Sequence, residues 1–221
     1  FGMRSAMNFL SSYGLTPAEG VRAWKKWGPI TVDVVKDNPY LLCDEEIGVE
    51  FKRADEIALS VGIEEDSGKR LFGAASHVLR HNLKNGHTCL ARQTVVQLVM
   101  RLTGVEEAAI EADIDQRIEE EELFSVQKNR EFLFLPSMYN AERYIAMRLS
   151  MMLQNRFFVS RNIDEMIDRT EAEKGIHYES LQREAIREAL QKSMLILTGG
   201  PGTGKTTTLN AIIDLLEDEG L

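Results

Sequence analysis

Apolar residues recur at helical spacing along most of this chain, and the interruptions are glycine turns and a few short runs of strand character. Met7, Phe9 and Leu10 precede the turn Tyr13-Gly14-Leu15-Thr16, and Val21, Trp24 and Trp27 resume the spacing beyond it. Gly14 ends the first helix, while Thr16-Pro17 caps and opens the next. Val34 and Val35 then lead to the turn Asn38-Pro39-Tyr40, and Ile47-Gly48-Val49-Glu50 opens a further helix that closes at Val61-Gly62-Ile63. Two helix–turn–helix units, about 35 residues apart, account for residues 1–66.

The pattern changes at residue 67. Leu71, Ala74, Ala75, Val78 and Leu79 predict a helix ending near Gly86, followed by a short strand at His87 to Leu90 and a helix from Thr94 to Leu102. A third helix, Glu106 to Glu122, carries Ile110, Ile114 and Ile118 in one row. Leu123 to Val126 and Phe132 to Leu135 then make a β-hairpin, stopped by Pro136. Residues 139–175 read as one long helix, with Tyr144, Ile145, Leu149, Met152 and Leu153 on its buried side, then a polar linker from Arg156 with a short helix around Ile163 to Ile167. Residues 176–221 begin with an amphipathic helix through Leu181, Ile186 and Leu190. A short apolar strand, Leu195 to Leu197, a glycine-rich turn and a last helix through Ile212, Ile213 and Leu216 follow.

That turn carries the chemistry. Gly199-x-x-x-x-Gly204-Lys205-Thr206 is the P-loop pattern in its strand–loop–helix setting. Gly200, Gly202 and Gly204 leave room for backbone N–H groups to point inward and wrap a phosphate, with Pro201, Thr203 and Thr207 in the same stretch. The helix starting near Lys205 adds its free N–H groups and the positive end of its dipole. Lys205 is expected to reach the β- and γ-phosphates of ATP, and the Thr206 hydroxyl to ligate Mg²⁺. Gln182, a little over twenty residues upstream, has an amide that can both donate to and accept from an adenine edge. A P-loop NTPase also needs an acidic residue on a second strand, and no further strand follows Thr206 here. The 221 residues alone are therefore expected to be inactive.

The two opening units resemble paired helix–hairpin–helix elements, whose turns present N–H groups to DNA phosphates without reading sequence. Lys25, Lys26, Lys52 and Arg53 flank the turns. The second glycine of the usual hairpin is Thr16 in one unit and Glu50 in the other, and a carboxylate beside a phosphate repels it. Trp24 and Trp27 sit at core spacing. Three helices and a hairpin over 67–138 is the order of a winged-helix-like domain. Its third helix carries Glu106, Glu107, Glu111, Asp113, Asp115 and Glu119 to Glu122 against Arg117 alone, which argues against a seat in a DNA groove and for a scaffolding or protein-facing role. His77 and His81 lie one turn apart with no third ligand at useful spacing, so they read as surface or half-buried histidines rather than as a zinc pair.

A net charge of −9 argues against a uniformly basic nucleic-acid binder but leaves local DNA contacts open. No apolar run approaches a membrane span and no signal peptide opens the chain. Cys43 and Cys89 are isolated, which fits reduced thiols in a cytoplasmic protein. The first residue is Phe1 rather than Met, as in a trimmed or partial polypeptide.

Leu181-Gln182-Arg-Glu-Ala-Ile followed by Leu197-Thr-Gly-Gly-Pro-Gly-Thr-Gly-Lys-Thr-Thr-Thr208 resembles the start of the motor in RecD-like superfamily 1 DNA helicases, the exodeoxyribonuclease V alpha-subunit family. The upstream order, with Asn38-Pro39-Tyr40 and Phe51-Lys-Arg-Ala54-Asp55, resembles the N-terminal extension of their long form. The resemblance implies a mainly α fold with a small β component: a tandem helix–hairpin–helix, a winged-helix-like domain, and the first strand, loop and helix of an α/β P-loop domain. It also implies 5′ to 3′ translocation on single-stranded DNA driven by ATP and Mg²⁺, with Gln182 reading adenine. The DNA partners implied are single strands or single/double-strand junctions, in repair or recombination, with repair proteins as further partners and no membrane. The Walker B carboxylates and the second motor domain are absent, so the chain is expected to be an internal fragment of a longer helicase. The alternative is a non-catalytic DNA-binding or protein-interaction module with an orphan P-loop.

Overall fold

In a computed structural model, residues 2–154 and 162–220 are described. The chain falls into two compact units, residues 1–141 and 142–221. The fold is mainly α, with one small sheet in the first unit.

The first unit opens with helices α1 (Gly2–Ser12) and α2 (Pro17–Trp27), then α3 (Thr31–Asp37) and α4 (Phe51–Ser60), with 3₁₀ turns at Gly28–Ile30 and Pro39–Cys43. Local chemistry sets these boundaries. The Thr16 hydroxyl accepts from Glu19 N–H while the Glu19 carboxylate accepts from Thr16 N–H, a reciprocal cap that starts α2 with Pro17 in its first turn. Gly14 and Gly48 occupy equivalent places in the two hairpins, both at φ +76°, a backbone region that favours glycine. Leu15 and Val49, each one residue further on, are buried. Leu10, Leu15, Ala23, Val35, Leu42, Ile47, Val49 and Ile57 make one core, with Trp27 half-buried against it.

Helix α5 (Gly68–Leu83) begins the second half of this unit. Strand β1 (Cys89–Ala91), helices α6 (Arg92–Thr103) and α7 (Glu107–Glu119), and strands β2 (Phe124–Gln127) and β3 (Glu131–Phe134) complete it. The sheet order is β1-β3-β2, antiparallel throughout, with Leu90 opposite Leu133 and Val126 opposite Phe132. The buried residues of α5, α6 and α7 form a second core. Helix α4 serves both cores: Ile57 faces the hairpins, while Phe51, Ala54 and Ala58 face α5. Gly73 is where the Tyr40 ring lies against α5, since a Cβ there would stand 2.6–2.8 Å from it. Beside it, Arg70 donates to both carboxylate oxygens of Asp55 at 2.8 and 2.9 Å, and Tyr40 Oη donates to Asp55 at 2.6 Å.

Helix α8 (Pro136–Gln154) crosses the boundary, and Pro136 opens it rather than only stopping the hairpin. In the second unit α9 (Ile163–Lys174), α10 (Ser180–Gln191) and α11 (Lys205–Asp218) enclose Ile163, Ile167, Tyr178, Ile186, Leu190, Ala211, Ile212 and Leu215.

Three expectations differ. The apolar stripe of α8 is exposed, with Tyr144 at 59% and Ile145 at 55%, because periodicity marks a face able to pack without supplying its cover. Leu195 to Leu197 takes no strand geometry and pairs with no strand among the described residues, since a strand exists only with a ladder partner. The polar stretch at 163–174 is a full helix whose Ile163, Ile167 and Thr170 are buried. The start of the predicted linker, residues 156–161, lies outside the described residues.

Candidate nucleotide and DNA sites

The glycine-rich loop leads into α11, whose N-cap is Gly204 in the left-handed region at φ +76° and ψ 17°. Gly202 is left-handed too, at φ +77°. No side chain caps α11, so the N–H groups of its first turn point into the loop without a local acceptor. Gly200, Pro201, Gly202, Thr203, Thr206 and Thr207 are exposed. The Lys205 ammonium folds over the loop, donating to the Gly199 carbonyl at 2.7 Å and to the Gly200 carbonyl beside it. Thr203 Oγ1 donates to the Gly200 carbonyl at 2.9 Å and stiffens the loop from the other side. Thr208 is buried and returns its hydroxyl to the Gly204 carbonyl at 3.0 Å, which locks the first helical turn.

Gln182 is half-buried on α10, and its amide bridges two elements. Its Oε1 accepts from Glu179 N–H at 2.9 Å, and its Nε2 approaches the Gly204 carbonyl at 3.4 Å. The first bond belongs to a capping box that starts α10. The second ties that helix end to the N-cap of α11. One amide N–H and one lone pair remain free of these two bonds, the complement of an adenine edge. Sequence patterning missed the Glu179 cap, which is visible only once α10 is known to begin at Ser180.

The loop fits the phosphates of a nucleotide on its own chemistry: left-handed glycines that a Cβ would spoil, an uncapped 14-residue helix, a lysine already held over the loop, and exposed hydroxyls at its start.

The hairpins place their basic residues unequally. Lys25 and Lys52 are exposed and form no ion pair among the described residues. Lys26 pairs with Asp44 at 2.9 Å and with Glu46 at 3.0 Å, which raises its pKa. Arg53 reaches Glu19 at 3.0 Å and also donates to the Gly14 carbonyl. In the first hairpin Gly14 N–H bonds Ser11, Leu15 N–H bonds Leu10, and Thr16 N–H bonds the Glu19 carboxylate. None of the three is open to a phosphate. In the second, Gly48 and Val49 N–H are taken by Asp44 and Leu42, and Glu50 starts α4 without a side-chain cap. Arg22, not singled out by sequence, holds this turn by donating to the Ile47 carbonyl at 2.8 Å.

Residues 1–89 match the model of the ATP-dependent RecD2 DNA helicase HHH domain, and residues 182–221 match that of an AAA domain. The chain is 29% identical over 223 residues to the ATP-dependent RecD2 DNA helicase of Deinococcus radiodurans, covering 96% of this chain and 31% of that protein. It is 50% identical over 38 residues to the RecBCD enzyme subunit RecD of Mycolicibacterium smegmatis, covering 17% of this chain and 7% of that one. The chain thus spans about a third of the length of the first of these relatives.

Proposed function

We propose that this chain, RecD-like at both ends, is part of an ATP-dependent DNA helicase that translocates 5′ to 3′ on single-stranded DNA. The observation that carries the reading is Lys205 held over left-handed glycines at the uncapped start of α11. In use, the ammonium leaves the Gly199 and Gly200 carbonyls for the β- and γ-phosphates, while the α11 N–H groups bind phosphate oxygens. The Thr206 hydroxyl would hold Mg²⁺, and Gln182 would read adenine with the donor and acceptor its two internal bonds leave over. ATP supplies the phosphoryl group whose transfer to water drives movement.

The first unit contacts DNA weakly through exposed Lys25 and Lys52, because Lys26 and Arg53 are held by carboxylates. The DNA is a single strand or a junction, met during repair, where repair proteins also act. The test is DNA-stimulated ATP hydrolysis by the protein at its native length. Stimulation abolished by Lys205→Ala supports the helicase reading. Hydrolysis indifferent to DNA would point to another P-loop ATPase, and no hydrolysis at all to a binding module. The 221-residue chain by itself is expected to show no sustained turnover.

A further inference from the structure

The C-terminal halves of α5 and α6 enclose a groove of about 220 Å³, lined by His77, Val78, His81, Asn82, Leu98, Arg101 and Leu102. Several arginines here hold carboxylates: Arg53, Arg70, Arg92, Arg117, Arg183 and Arg187. Arg101 forms no ion pair or hydrogen bond among the described residues, and no carboxylate lines the groove. In a protein of net charge −9, this unpaired guanidinium beside apolar side chains leaves a local positive charge open to an anion.

The wall is partly aromatic. Tyr40, Phe51 and His77 stack in sequence, with ring centroids 5.6 and 5.4 Å apart, and His81 follows His77 at 6.1 Å. His81 thus stands as the open end of a ring ladder rooted in the core. Leu102, on α6, lines the same groove and is 42% exposed. Asn82 Nδ2 donates to the Val78 carbonyl at 2.8 Å, which fixes the amide and leaves its oxygen as an acceptor. The charges felt at His77 from outside the lining are cationic Arg80 and Lys84, against one carboxylate, Glu50, at the start of α4.

An apolar lining, a ring to stack on, a fixed hydrogen-bond acceptor and an unpaired guanidinium are the parts that grip a base and its phosphate together. We propose that this groove holds one nucleotide of single-stranded DNA, with the base between His81 and Leu102 and the phosphate at Arg101. The proposal rests on the DNA-processing reading and adds a contact outside the hairpins and the phosphate loop.

The test is fluorescence anisotropy of labelled oligo(dT) with the whole 221-residue chain at low salt, comparing wild type, Arg101→Glu, His81→Ala and Arg148→Glu. Arg148 lies exposed on α8 and is not among the residues that line the groove, so its substitution makes the same charge change outside that lining. Arg101 and His81 are exposed as well, so the variants are expected to fold, as far-UV circular dichroism will show. Affinity is expected to fall about tenfold for Arg101→Glu and about threefold for His81→Ala, with Arg148→Glu within about twofold of wild type. Equal losses for Arg101→Glu and Arg148→Glu would overturn the groove and leave the DNA reading intact. Wild type that binds no oligo(dT) also overturns the groove, and the helicase reading then stands or falls on DNA-stimulated hydrolysis alone.

Discussion

Arg53 of α4 closes on Glu19 of α2 at 3.0 Å and so joins the two hairpins through one guanidinium–carboxylate contact. Glu19 is 8% exposed and also accepts from the N–H and hydroxyl of Thr16 at 2.7 and 2.9 Å. Burial alone would raise this carboxyl, but the Thr16 and Arg53 hydrogen bonds outweigh it and hold it below its ordinary range. Glu19→Ala is expected to destabilise the chain by about 1–2 kcal/mol, since it removes a cap and an interhelix bond together. The folded-state value is depressed, so the contribution is present above the ordinary 4.5 and lost as pH falls through the lower folded value. Urea unfolding of wild type and variant should therefore converge in acid. A gap unchanged between neutral pH and pH 3 would mean that the carboxylate charge does not matter.

The Tyr40–Asp55–Arg70 cluster makes a second, larger claim on stability. Arg70 is 6% exposed and also donates to the Glu65 and Thr103 carbonyls at 2.7 and 3.0 Å, which ties α4, α5 and the end of α6 to one cation. Arg70→Met leaves Asp55 half-buried without its cation and is expected to cost on the order of 3 kcal/mol. Tyr40→Phe removes one hydrogen bond while keeping the ring against Gly73, at about 1 kcal/mol. Chemical denaturation of the two variants and their double gives the coupling. Equal losses from the two single changes would show that the tyrosine hydroxyl, not the buried ion pair, sets the geometry.

Helix starts in the first unit were readable because each has a local cause: Pro17 after Thr16, and left-handed glycines at 14 and 48. The glycine-rich turn into α11 was readable for the same reason, with Gly202 and Gly204 left-handed. Long-range pairs such as Glu19 with Arg53, 34 positions apart, leave no local mark. Nor does burial of a helix rich in charge. Asp164, Asp168 and Glu171 pair with Arg187 and Arg183 across to α10, so the polar residues of α9 are contacts rather than linker. At Leu195 to Leu197 and along α8, the pattern names a surface without naming its partner.

Glu121 is the one non-glycine residue at positive φ among the described residues, at +59°. It closes α7, where Glu122 and Leu123 N–H both return to the Arg117 carbonyl. Its neighbours Glu120 and Glu122 hold Arg117, whereas its own side chain is exposed. Glycine adopts this conformation without the Cβ penalty, so Glu121→Gly is expected to stabilise by about 0.5–1 kcal/mol. Glu119→Gly, inside the helix, should destabilise by about the same amount. Thermal unfolding of both variants checks the contrast. A melting temperature lowered by each change would show that the turn tolerates Glu121 without strain.

Gly204 carries two separate demands, and substitution can tell them apart. Its φ of +76° disfavours any Cβ, and an added Cβ would also stand well inside van der Waals contact with Gln182 Nε2. Gly200 differs, because a Cβ there meets nothing within 4 Å and its φ is not left-handed. Gly204→Ala is expected to weaken nucleotide binding about tenfold or more, the effect of roughly 1–2 kcal/mol of left-handed strain shifted onto the bound loop. Adding Gln182→Ala removes the crowding but not the strain, and it also removes the adenine-reading amide, so the double variant is compared with Gln182→Ala alone and should still bind several-fold more weakly than it. Gly200→Ala should fall well short of Gly204→Ala. Titration with a fluorescent ATP analogue measures all four variants. A double variant that binds as well as Gln182→Ala alone would mean that crowding by Gln182, and not the left-handed backbone, is what reserves position 204 for glycine.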